Sequence, residues 1–453
     1  MIKRSIAQLA NMLGIKWQGN SETMVTGVTI DSRKIEKGNL FVPFKGEHTD
    51  GHVYVEQALK NGAAVALWQK DVPNPPDNAE LLVVDDTLEA LQKIASSYLQ
   101  EVKPKVIGIT GSNGKTTTKD ITEALLSTKY KVHKTSGNFN NHLGLPLTIL
   151  GMDEDTEIAV LEMGMSSRGE IELLSKLAKP DVAIITNIGE SHLLDLGSRE
   201  EIAAAKLEIM AGLKEDGMLI FHGDEPLLKD KLMNKGHRME SFGRDHSNTI
   251  HPLEIQMHES KTVFLTNLYP EKLTLPILGN HNVMNAMAAI LTAKEFGVDF
   301  DSIQQGLLNL KVTNMRMELI NGNNGVKVIN DAYNASPTSM NAAIQLVSEL
   351  KGFNHKYLVL GDMLELGKDE VAFHQEIGAA IPVNQITGLF TYGELGEQIA
   401  EGAKTVLNAE QIFSFKEKEQ LIDKLKEMVS ENDLVLVKAS RGMRLEEVVN
   451  SLV

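Results

Sequence analysis

The sequence predicts an α/β protein of three domains. Short apolar segments rich in β-branched residues alternate with helical segments twice, over residues 105–189 and again over residues 326–438. Near-continuous apolar strands that alternate with helices are typical of a parallel sheet covered on both faces. The chain has 453 residues, which is too long for one hydrophobic core. We expect a small N-terminal α/β domain (1–103), a central domain with a mostly parallel sheet (104–313) and a C-terminal Rossmann-like α/β domain (314–453).

The composition excludes several classes of protein. Asp and Glu number 61 against 45 Lys and Arg, a net charge of -16, which argues against nucleic acid or an anionic membrane as the main partner. The absence of cysteine excludes disulfides, thiol nucleophiles and cysteine-bound metals, and it fits a reducing compartment. No segment has the apolar length of a signal peptide or a membrane span. We therefore expect a cytoplasmic protein without membrane insertion, and a monomer.

In the expected N-terminal domain, polar residues cluster at the ends of two predicted strands, Val25–Arg33 and Asn39–Gly46. Side chains at strand ends can hold a ligand, whereas solvated turns are the alternative from the pattern alone. The polar segment that follows the second strand is His48-Thr-Asp-Gly-His52.

The strongest local motif follows an apolar strand at the start of the expected central domain. Residues 105–117 have the sequence Lys-Val-Ile-Gly-Ile-Thr-Gly-Ser-Asn-Gly-Lys-Thr-Thr, which predicts a strand, a phosphate-binding loop and a helix. Backbone N–H groups at the loop glycines can surround phosphate oxygens, Lys115 adds a positive charge, and the Thr116 hydroxyl suits a magnesium ion. The strict motif expects its first glycine where Ile109 stands, one position after Gly108. We therefore expect a nucleotide-binding domain similar to the P-loop ATPases.

Polar residues also follow the next predicted strands, over residues 157–164 and 181–189. Glu162 ends an apolar strand, where a carboxylate is costly to bury without a partner such as a magnesium ion. His192 is ambiguous, because magnesium prefers oxygen ligands and a histidine could equally be a hydrogen-bonded core residue. Lys206 lies in a helical pattern, and the residues alone favour an exposed lysine on that helix.

Together these motifs resemble the Mur ligases, ATP-dependent amide-forming enzymes of peptidoglycan precursor synthesis, over essentially the whole chain. The residues that carry the resemblance are Thr110-Gly-Ser-Asn-Gly-Lys-Thr-Thr117, Glu162-Met-Gly164, Asn187-Ile-Gly-Glu-Ser-His192, Ala205-Lys-Leu-Glu208, Gly279-Asn-His-Asn282, Asn285 and Asp331. The family tolerates the shifted glycine. Segments 331–339 and 360–367 resemble the family member that joins D-alanyl-D-alanine to UDP-N-acetylmuramoyl-tripeptide.

The resemblance implies a ligase reaction that serves cell-wall biogenesis, and with it cell shape and division. The γ-phosphate of ATP would pass to the terminal carboxylate of the UDP-linked tripeptide, and the amine of D-alanyl-D-alanine would attack the acyl phosphate. The products would be UDP-muramoyl-pentapeptide, ADP and phosphate. The alternatives within the fold are the tripeptide-forming Mur ligase, whose Asp-Asn-Pro-Arg motif is missing here, and a folylpolyglutamate synthase-like enzyme. A P-loop switch or a simple kinase would need no amine acceptor.

The resemblance also implies the residues of the site. Those expected to bind ATP are Thr110, Gly111, Ser112, Asn113, Gly114, Lys115, Thr116, Thr117, Asn282, Asn285, Arg316 and Asp331. Those expected to be catalytic are Lys115, Glu162, His192 and Lys206. Two magnesium ions are expected on Thr116, Glu162, His192 and a carbamylated Lys206. Carbamylation makes physical sense because a lysine cation repels magnesium, whereas a carbamate presents oxygens.

For the substrates, the resemblance places three groups of residues. The UDP end is expected at Ser32, Lys45, Gly46, Asp50 and His52, the muramoyl-peptide at Asn138, Asn140 and Asn141, and the incoming dipeptide at Tyr333, Asn334 and Ser336. The third residue of the stem peptide, lysine or diaminopimelate, is left open.

Overall fold

The computed structural model describes residues 1–19, 22–46, 49–232 and 236–453, and these residues form five sheets. Two sheets precede residue 103, two lie between residues 104 and 313, and one follows. The three-domain α/β architecture is confirmed, and the exact boundaries at 103/104 and 313/314 remain our proposal. No described helix is long and apolar enough to cross a membrane.

The N-terminal domain contains a two-stranded antiparallel sheet, β1 with β2, and a four-stranded parallel sheet in the order β3-β4-β5-β6. Its elements are β1 (Lys3–Ser5), α1 (Ile6–Leu13), β2 (Met24–Thr26), β3 (Val28–Thr29), β4 (Leu40–Phe41), α2 (Val55–Lys60), β5 (Val65–Gln69), β6 (Leu81–Val84) and α3 (Thr87–Val102). The single strand predicted over Val25–Arg33 is divided into two, because Gly27 has a φ of 76° and turns the backbone between them.

The central domain is built on a six-stranded sheet in the order β12-β11-β10-β7-β9-β8, in which all strands are parallel. Its elements are β7 (Lys105–Thr110), α4 (Lys115–Leu126), β8 (Val132–Lys134), α5 (Gly144–Leu150), β9 (Ile158–Glu162), α6 (Glu170–Ala178), β10 (Val182–Ile185), α7 (Leu193–Leu196), α8 (Arg199–Leu207), β11 (Met218–His222), α9 (Pro226–Leu232), β12 (Arg238–Phe242), β13 (Pro252–Met257), β14 (Thr262–Thr266), β15 (Leu273–Leu275), α10 (Asn280–Glu295) and α11 (Phe300–Leu308). Strands β13 to β15 form a small antiparallel sheet that the sequence did not predict.

The C-terminal domain has a second six-stranded sheet in the order β16-β17-β21-β18-β19-β20, parallel except for the edge strand β16. Its elements are β16 (Glu318–Asn321), β17 (Lys327–Asp331), α12 (Pro337–Glu349), β18 (Lys356–Gly361), α13 (Glu370–Ala379), β19 (Gly388–Tyr392), α14 (Gly396–Ala403), β20 (Ile412–Phe415), α15 (Lys418–Met428), β21 (Leu434–Lys438) and α16 (Glu446–Leu452).

The core of the central domain lies on both faces of its sheet. Ile107 and Ile109 of β7 pack in one apolar cluster with residues of α4 and α10, while Val106 belongs to the cluster on the other face. Because successive side chains of a strand point to opposite faces, a strand buried on both sides needs a continuous apolar run. This packing fixes the carboxyl end of β7, where the phosphate-binding loop begins.

Candidate active site

The phosphate-binding loop connects β7 to α4 and depends on two glycines. Gly111 has a φ of 146° and Gly114 a φ of 80°. A Cβ at Gly111 would lie 1.8 Å from Thr186 Oγ1, and a Cβ at Gly114 would lie 2.4 Å from Asn285 Oδ1. Both positions therefore need glycine for the close approach of their neighbours as well as for the backbone conformation.

We expect Gly114→Ala to weaken nucleotide binding more than it weakens folding. The added methyl group would displace the Asn285 side chain, and the left-handed backbone adds about 1–2 kcal/mol of strain. Gly352→Ala is the matched control, because Gly352 has a φ of 93° and open space around it. Thermal unfolding should be affected similarly in the two variants, and fluorescent ATP-analogue binding should weaken only in Gly114→Ala. Equal affinities would contradict the role given to this contact.

Several polar groups of the loop are available to a phosphate. Lys115 Nζ donates a hydrogen bond of 2.7 Å to the Gly111 carbonyl, and burial lowers the pKa of this lysine below its usual value. The hydroxyl groups of Thr110 and Ser112 are buried, and neither has a hydrogen-bond partner among the described residues. Buried polar groups without partners are rare, and a phosphate at a helix N-terminus would supply one.

Glu162 lies beside the start of α4, because β9 pairs with β7 and the two strands end together. Its Oε2 accepts a hydrogen bond of 3.0 Å from Thr116 Oγ1, and its Oε1 accepts one of 2.8 Å from Asn140 Nδ2. The Glu162 side chain is almost fully buried. The structure therefore brings together Thr116 and Glu162 as predicted. It also places Asn140, assigned above to the muramoyl-peptide, against the same carboxylate.

This arrangement fits a magnesium ion. Among the described residues no three His, Asp or Glu side chains form a ready-made metal cluster. Magnesium seldom needs one, since it usually keeps several waters and binds one or two carboxylates together with substrate phosphates. A carboxylate beside a hydroxyl at the end of a phosphate-binding loop meets that requirement.

Lys206 is fully buried, so the exposed position that the residues alone favoured is wrong. The reason is its position on α8, where Ile202 and Ala203, four and three residues earlier, are also buried. Burial lowers the pKa of Lys206 far below its usual value of 10.5, and the charge of Lys115 adds to this. The lysine is thus held near the phosphate-binding loop in an environment that favours its neutral form.

His192 lies at the boundary between the central and C-terminal domains. Its backbone has a φ of 64°, and its Nδ1 lies 2.8 Å from Glu365 Oε2. Burial lowers the pKa of the His192 imidazole, Glu365 raises it, and Lys115 and Lys206 lower it further. His192 therefore shares its electrostatic environment with two other predicted catalytic residues.

Three polar side-chain pairs help to hold the C-terminal domain against the central domain on this side. The pairs are Asn113 Nδ2 with Ser336 Oγ at 3.2 Å, Thr338 Oγ1 with Glu190 Oε2 at 2.7 Å, and His192 Nδ1 with Glu365 Oε2 at 2.8 Å. Glu190, Thr338 and Glu365 were not singled out from the sequence, because their partners lie in another domain.

A cavity of about 150 Å³ lies between these two domains. The predicted site residues that line it are Asn113, Gly114, Thr117, Asn282, Asn285, Arg316, Asp331 and Asn334. Asn282 and Asn285, three residues apart on α10, share one helix face, and a hydrogen bond of 3.1 Å joins their side chains. The cavity is thus bounded by the phosphate-binding loop and α10 on one side and by the C-terminal domain on the other.

Lys438 is one of several residues lining this cavity that were missed from the sequence. Lys438 ends β21 directly beside Asp331, which ends β17. Its Nζ lies 2.5 Å from Asp331 Oδ2 and donates a second hydrogen bond of 2.9 Å to the Asn334 carbonyl. The available signal was a lysine at the carboxyl end of an apolar strand, the same signal that identified Glu162.

The residues assigned to the dipeptide lie close to the cavity. The Arg316 guanidinium lies 4.1 Å from the centre of the Tyr333 ring, Asn334 lines the cavity, and Ser336 caps α12. Ser336 also contacts Asn113 of the phosphate-binding loop. All three residues belong to the C-terminal domain and lie near its boundary with the central domain, and their contact with a dipeptide stays a prediction.

In the N-terminal domain, Lys45 and Asp50 form an isolated antiparallel β-bridge, and the Gly46 N–H donates a hydrogen bond of 3.0 Å to the Thr49 carbonyl. Lys45 also forms an ion pair of 2.7 Å with Asp71. His52 is buried, with Nδ1 lying 2.6 Å from Asp50 Oδ1 and Nε2 accepting a hydrogen bond from the Gln69 backbone. Both of its ring nitrogens are engaged, which favours a structural role for His52.

The other substrate residues lie on surface segments. Ser32 begins a short 3-10 helix, Ser32–Lys34. Asn138 and Asn141 are exposed, and Asn141 Oδ1 accepts hydrogen bonds from the backbone at the start of α5. The contact of Asn138 and Asn141 with a muramoyl-peptide, like that of Ser32, Lys45 and Asp50 with a UDP group, stays a prediction.

Family models match three successive segments of the chain. They are described as "Mur ligase family, catalytic domain" over residues 24–99, "Mur ligase middle domain" over residues 109–293, and "Mur ligase, glutamate ligase domain" over residues 315–441. The chain belongs to the Mur ligase family. This confirms the family that the sequence motifs indicated.

Curated relatives match this Mur ligase over its full length. The UDP-N-acetylmuramoyl-tripeptide--D-alanyl-D-alanine ligase of Bacillus subtilis (strain 168) is 54% identical over 455 residues, which cover 100% of this chain and 99% of that protein. A ligase of the same name from Escherichia coli (strain K12) is 33% identical over 459 residues, again covering 100% of this chain and 99% of that protein.

Solved structures agree with the fold of this Mur ligase. A crystal structure of MurF from Acinetobacter baumannii superposes with a TM-score of 0.90 at 30% identity, covering 100% of this chain and 99% of that one. MurF from Thermotoga maritima in complex with ADP superposes with a TM-score of 0.83 at 30% identity, covering 94% of this chain and 97% of that one.

Proposed function

We propose that this Mur ligase joins D-alanyl-D-alanine to the terminal carboxylate of UDP-N-acetylmuramoyl-tripeptide, using ATP. The observation that carries the proposal is the full-length 54% identity to the Bacillus subtilis ligase of that name. The reaction transfers the γ-phosphate of ATP to the tripeptide carboxylate and releases ADP. The dipeptide amine then attacks the acyl carbon, an amide bond forms, and phosphate leaves.

The residues of the cleft suit this chemistry because phosphoryl transfer depends on alignment and charge neutralisation. Lys115 and the loop amides hold the phosphates, while Asn282 and Asn285 of α10 and Arg316 of the C-terminal domain line the nucleotide cavity. Magnesium held at Thr116 and Glu162 would neutralise charge on the transferred phosphoryl group. Because Arg316 and Asp331 come from another domain, the complete site requires the two domains to meet.

We further propose that Lys206 is carbamylated and, with His192, serves a second magnesium ion. The neutral lysine amine attacks carbon dioxide, a nitrogen–carbon bond forms, and a proton is released to give an anionic carbamate. The burial of Lys206 and its lowered pKa support this proposal, because they favour the neutral amine that reacts. A cytoplasmic location and a monomeric state remain part of the same proposal.

We expect sustained release of ADP and phosphate to require ATP, magnesium, the UDP-tripeptide and D-alanyl-D-alanine together, because an acyl phosphate that is not attacked stays in a site shielded from water. A coupled ADP-release assay measures this directly. Lysine- and diaminopimelate-containing tripeptides should be compared, since their ratio identifies the third stem residue.

The controls for this assay distinguish the alternative functions. Robust turnover without the dipeptide would indicate an ATPase or a kinase instead. Preference for UDP-muramoyl-dipeptide and a single amino acid would indicate the tripeptide-forming ligase, and preference for a folate with glutamate would indicate a folylpolyglutamate synthase.

A further inference from the structure

The connection between the central and C-terminal domains is hydrogen-bonded to the helix that follows the phosphate-binding loop. Asp120 lies on α4 with its side chain almost fully buried. Its Oδ2 accepts two hydrogen bonds of 2.8 Å from Thr313, one from the backbone N–H and one from the hydroxyl group. Thr313 lies in the irregular segment 309–317, which connects α11 to β16. One carboxylate therefore holds the middle of segment 309–317, the interdomain hinge.

Two lysines hold the same carboxylate from the other side. Lys134 Nζ lies 3.0 Å from Asp120 Oδ1, and Lys119 Nζ lies 3.6 Å from it. Lys119 is almost fully buried, and its Nζ also lies 4.0 Å from Glu162 Oε2. Buried charges are stable only when their partners stay in place. The Lys119 ammonium group thus lies between Asp120, which holds the hinge, and Glu162, which is proposed to bind magnesium.

The hinge has an unusual backbone beyond Thr313. Met315 and Met317 have φ angles of 64° and 52°, a conformation that residues other than glycine seldom adopt and that costs energy unless contacts hold it. The Met315 N–H donates to Glu318 Oε2 at 3.0 Å, and the Met317 N–H donates to Asp331 Oδ1 at 3.2 Å. Arg316, between the two, lines the nucleotide cavity. The position of Arg316 therefore depends on how the hinge is held.

We propose that Asp120 is a positioning residue that acts through Thr313. It fixes the hinge so that Arg316 and the C-terminal domain meet a nucleotide held by the phosphate-binding loop, and Lys119 ties this anchor to Glu162. The proposal rests on the proposed function only in taking that nucleotide to be ATP. The described partners of the Asp120 side chain are Thr313, Lys119 and Lys134, none of which lines the cavity or is a predicted substrate residue.

The first test uses Thr313→Val, which removes the hydroxyl bond and leaves α4 unchanged. If the hinge is held less firmly, a smaller fraction of the molecules has the C-terminal domain docked against the central domain. The apparent affinity for ATP then falls in proportion to the docked fraction. We expect the KM for ATP to rise about tenfold, the effect of losing one hydrogen bond to a charged group, while kcat changes less than about twofold because saturating ATP restores docking. Thr313→Ser should restore the wild-type KM.

The matched control is Thr405→Val, because the Thr405 hydroxyl bonds only a nearby carbonyl, that of Gly402, within the C-terminal domain. It should leave the KM for ATP unchanged. If the role of Thr313 is purely structural, Thr313→Val should lower the unfolding temperature, as Thr405→Val could, and neither variant should change the KM for ATP.

The second test measures domain position without turnover. The chain has no cysteine, so Lys176→Cys and Glu419→Cys, both at exposed positions, provide two spin-label sites in different domains. With magnesium and a non-hydrolysable ATP analogue, we expect one narrow distance distribution in the otherwise wild-type chain. Thr313→Val and Asp120→Asn should broaden it towards longer distances.

The outcomes separate the two proposals. If Thr313→Val leaves both the KM and the distance distribution unchanged, the positioning role is wrong, even if Asp120→Asn fails to fold. If the distances respond as expected but ADP release does not depend on D-alanyl-D-alanine, the positioning role stands and the proposed function fails.

Discussion

Glu162→Gln is expected to lower kcat by about 10²–10³-fold, the scale seen when one preorganised electrostatic contact to a transition state is removed. Glutamine keeps the size of the side chain and can still bond Thr116 and Asn140, which contact the two carboxylate oxygens. It loses the negative charge that would face magnesium. The fold should persist, because the surrounding apolar strands β7 and β9 are unchanged.

The measurement is the steady-state rate of ADP formation at saturating substrates over a range of magnesium concentrations, with thermal unfolding recorded for the same samples. Glu172→Gln is the matched control, since Glu172 is a partly exposed residue of α6 paired with Lys176. Its kcat should equal that of the wild type. Near-native activity in a well-folded Glu162→Gln variant would contradict the magnesium role and indicate that Glu162 is only structural.

Local sequence patterns predicted the scaffold of the site because the information is contained in neighbouring residues. The order of strand, loop and helix at residues 105–126 needs only an apolar run, glycines and a helical pattern. The burial of Glu162 followed from its place at the end of an apolar strand, and the shared face of Asn282 and Asn285 followed from helix geometry.

The remaining features depend on contacts between distant parts of the chain. Lys438 meets Asp331 because β21 inserts between β17 and β18, an order that the sequence does not encode locally. His192 meets Glu365 only when two domains dock. The burial of Lys206 was not predicted because its helix is rich in alanine, and alanine gives only a weak sequence signal for the helix face that is buried.

Lys206→Ala is expected to fold and to be nearly inactive in ligation. The side chain is fully buried and its pKa lies far below the usual value, so the wild-type residue cannot act as an ordinary surface cation. If its carbamate helps to bind the second magnesium ion, alanine removes those oxygens. Lys206→Arg should do no better, because a guanidinium stays charged and is not carbamylated.

The control is Lys176→Ala, which removes an exposed helix lysine from the same domain and should cost at most about 0.5 kcal/mol of stability with full activity. Acetate or propionate should restore part of the activity of Lys206→Ala, because a small carboxylate can occupy the space of the carbamate. Small amines should not. Intact mass measured under carbon dioxide should show an added carboxyl group in the wild type alone, and wild-type turnover by both Lys206 variants would contradict the carbamate.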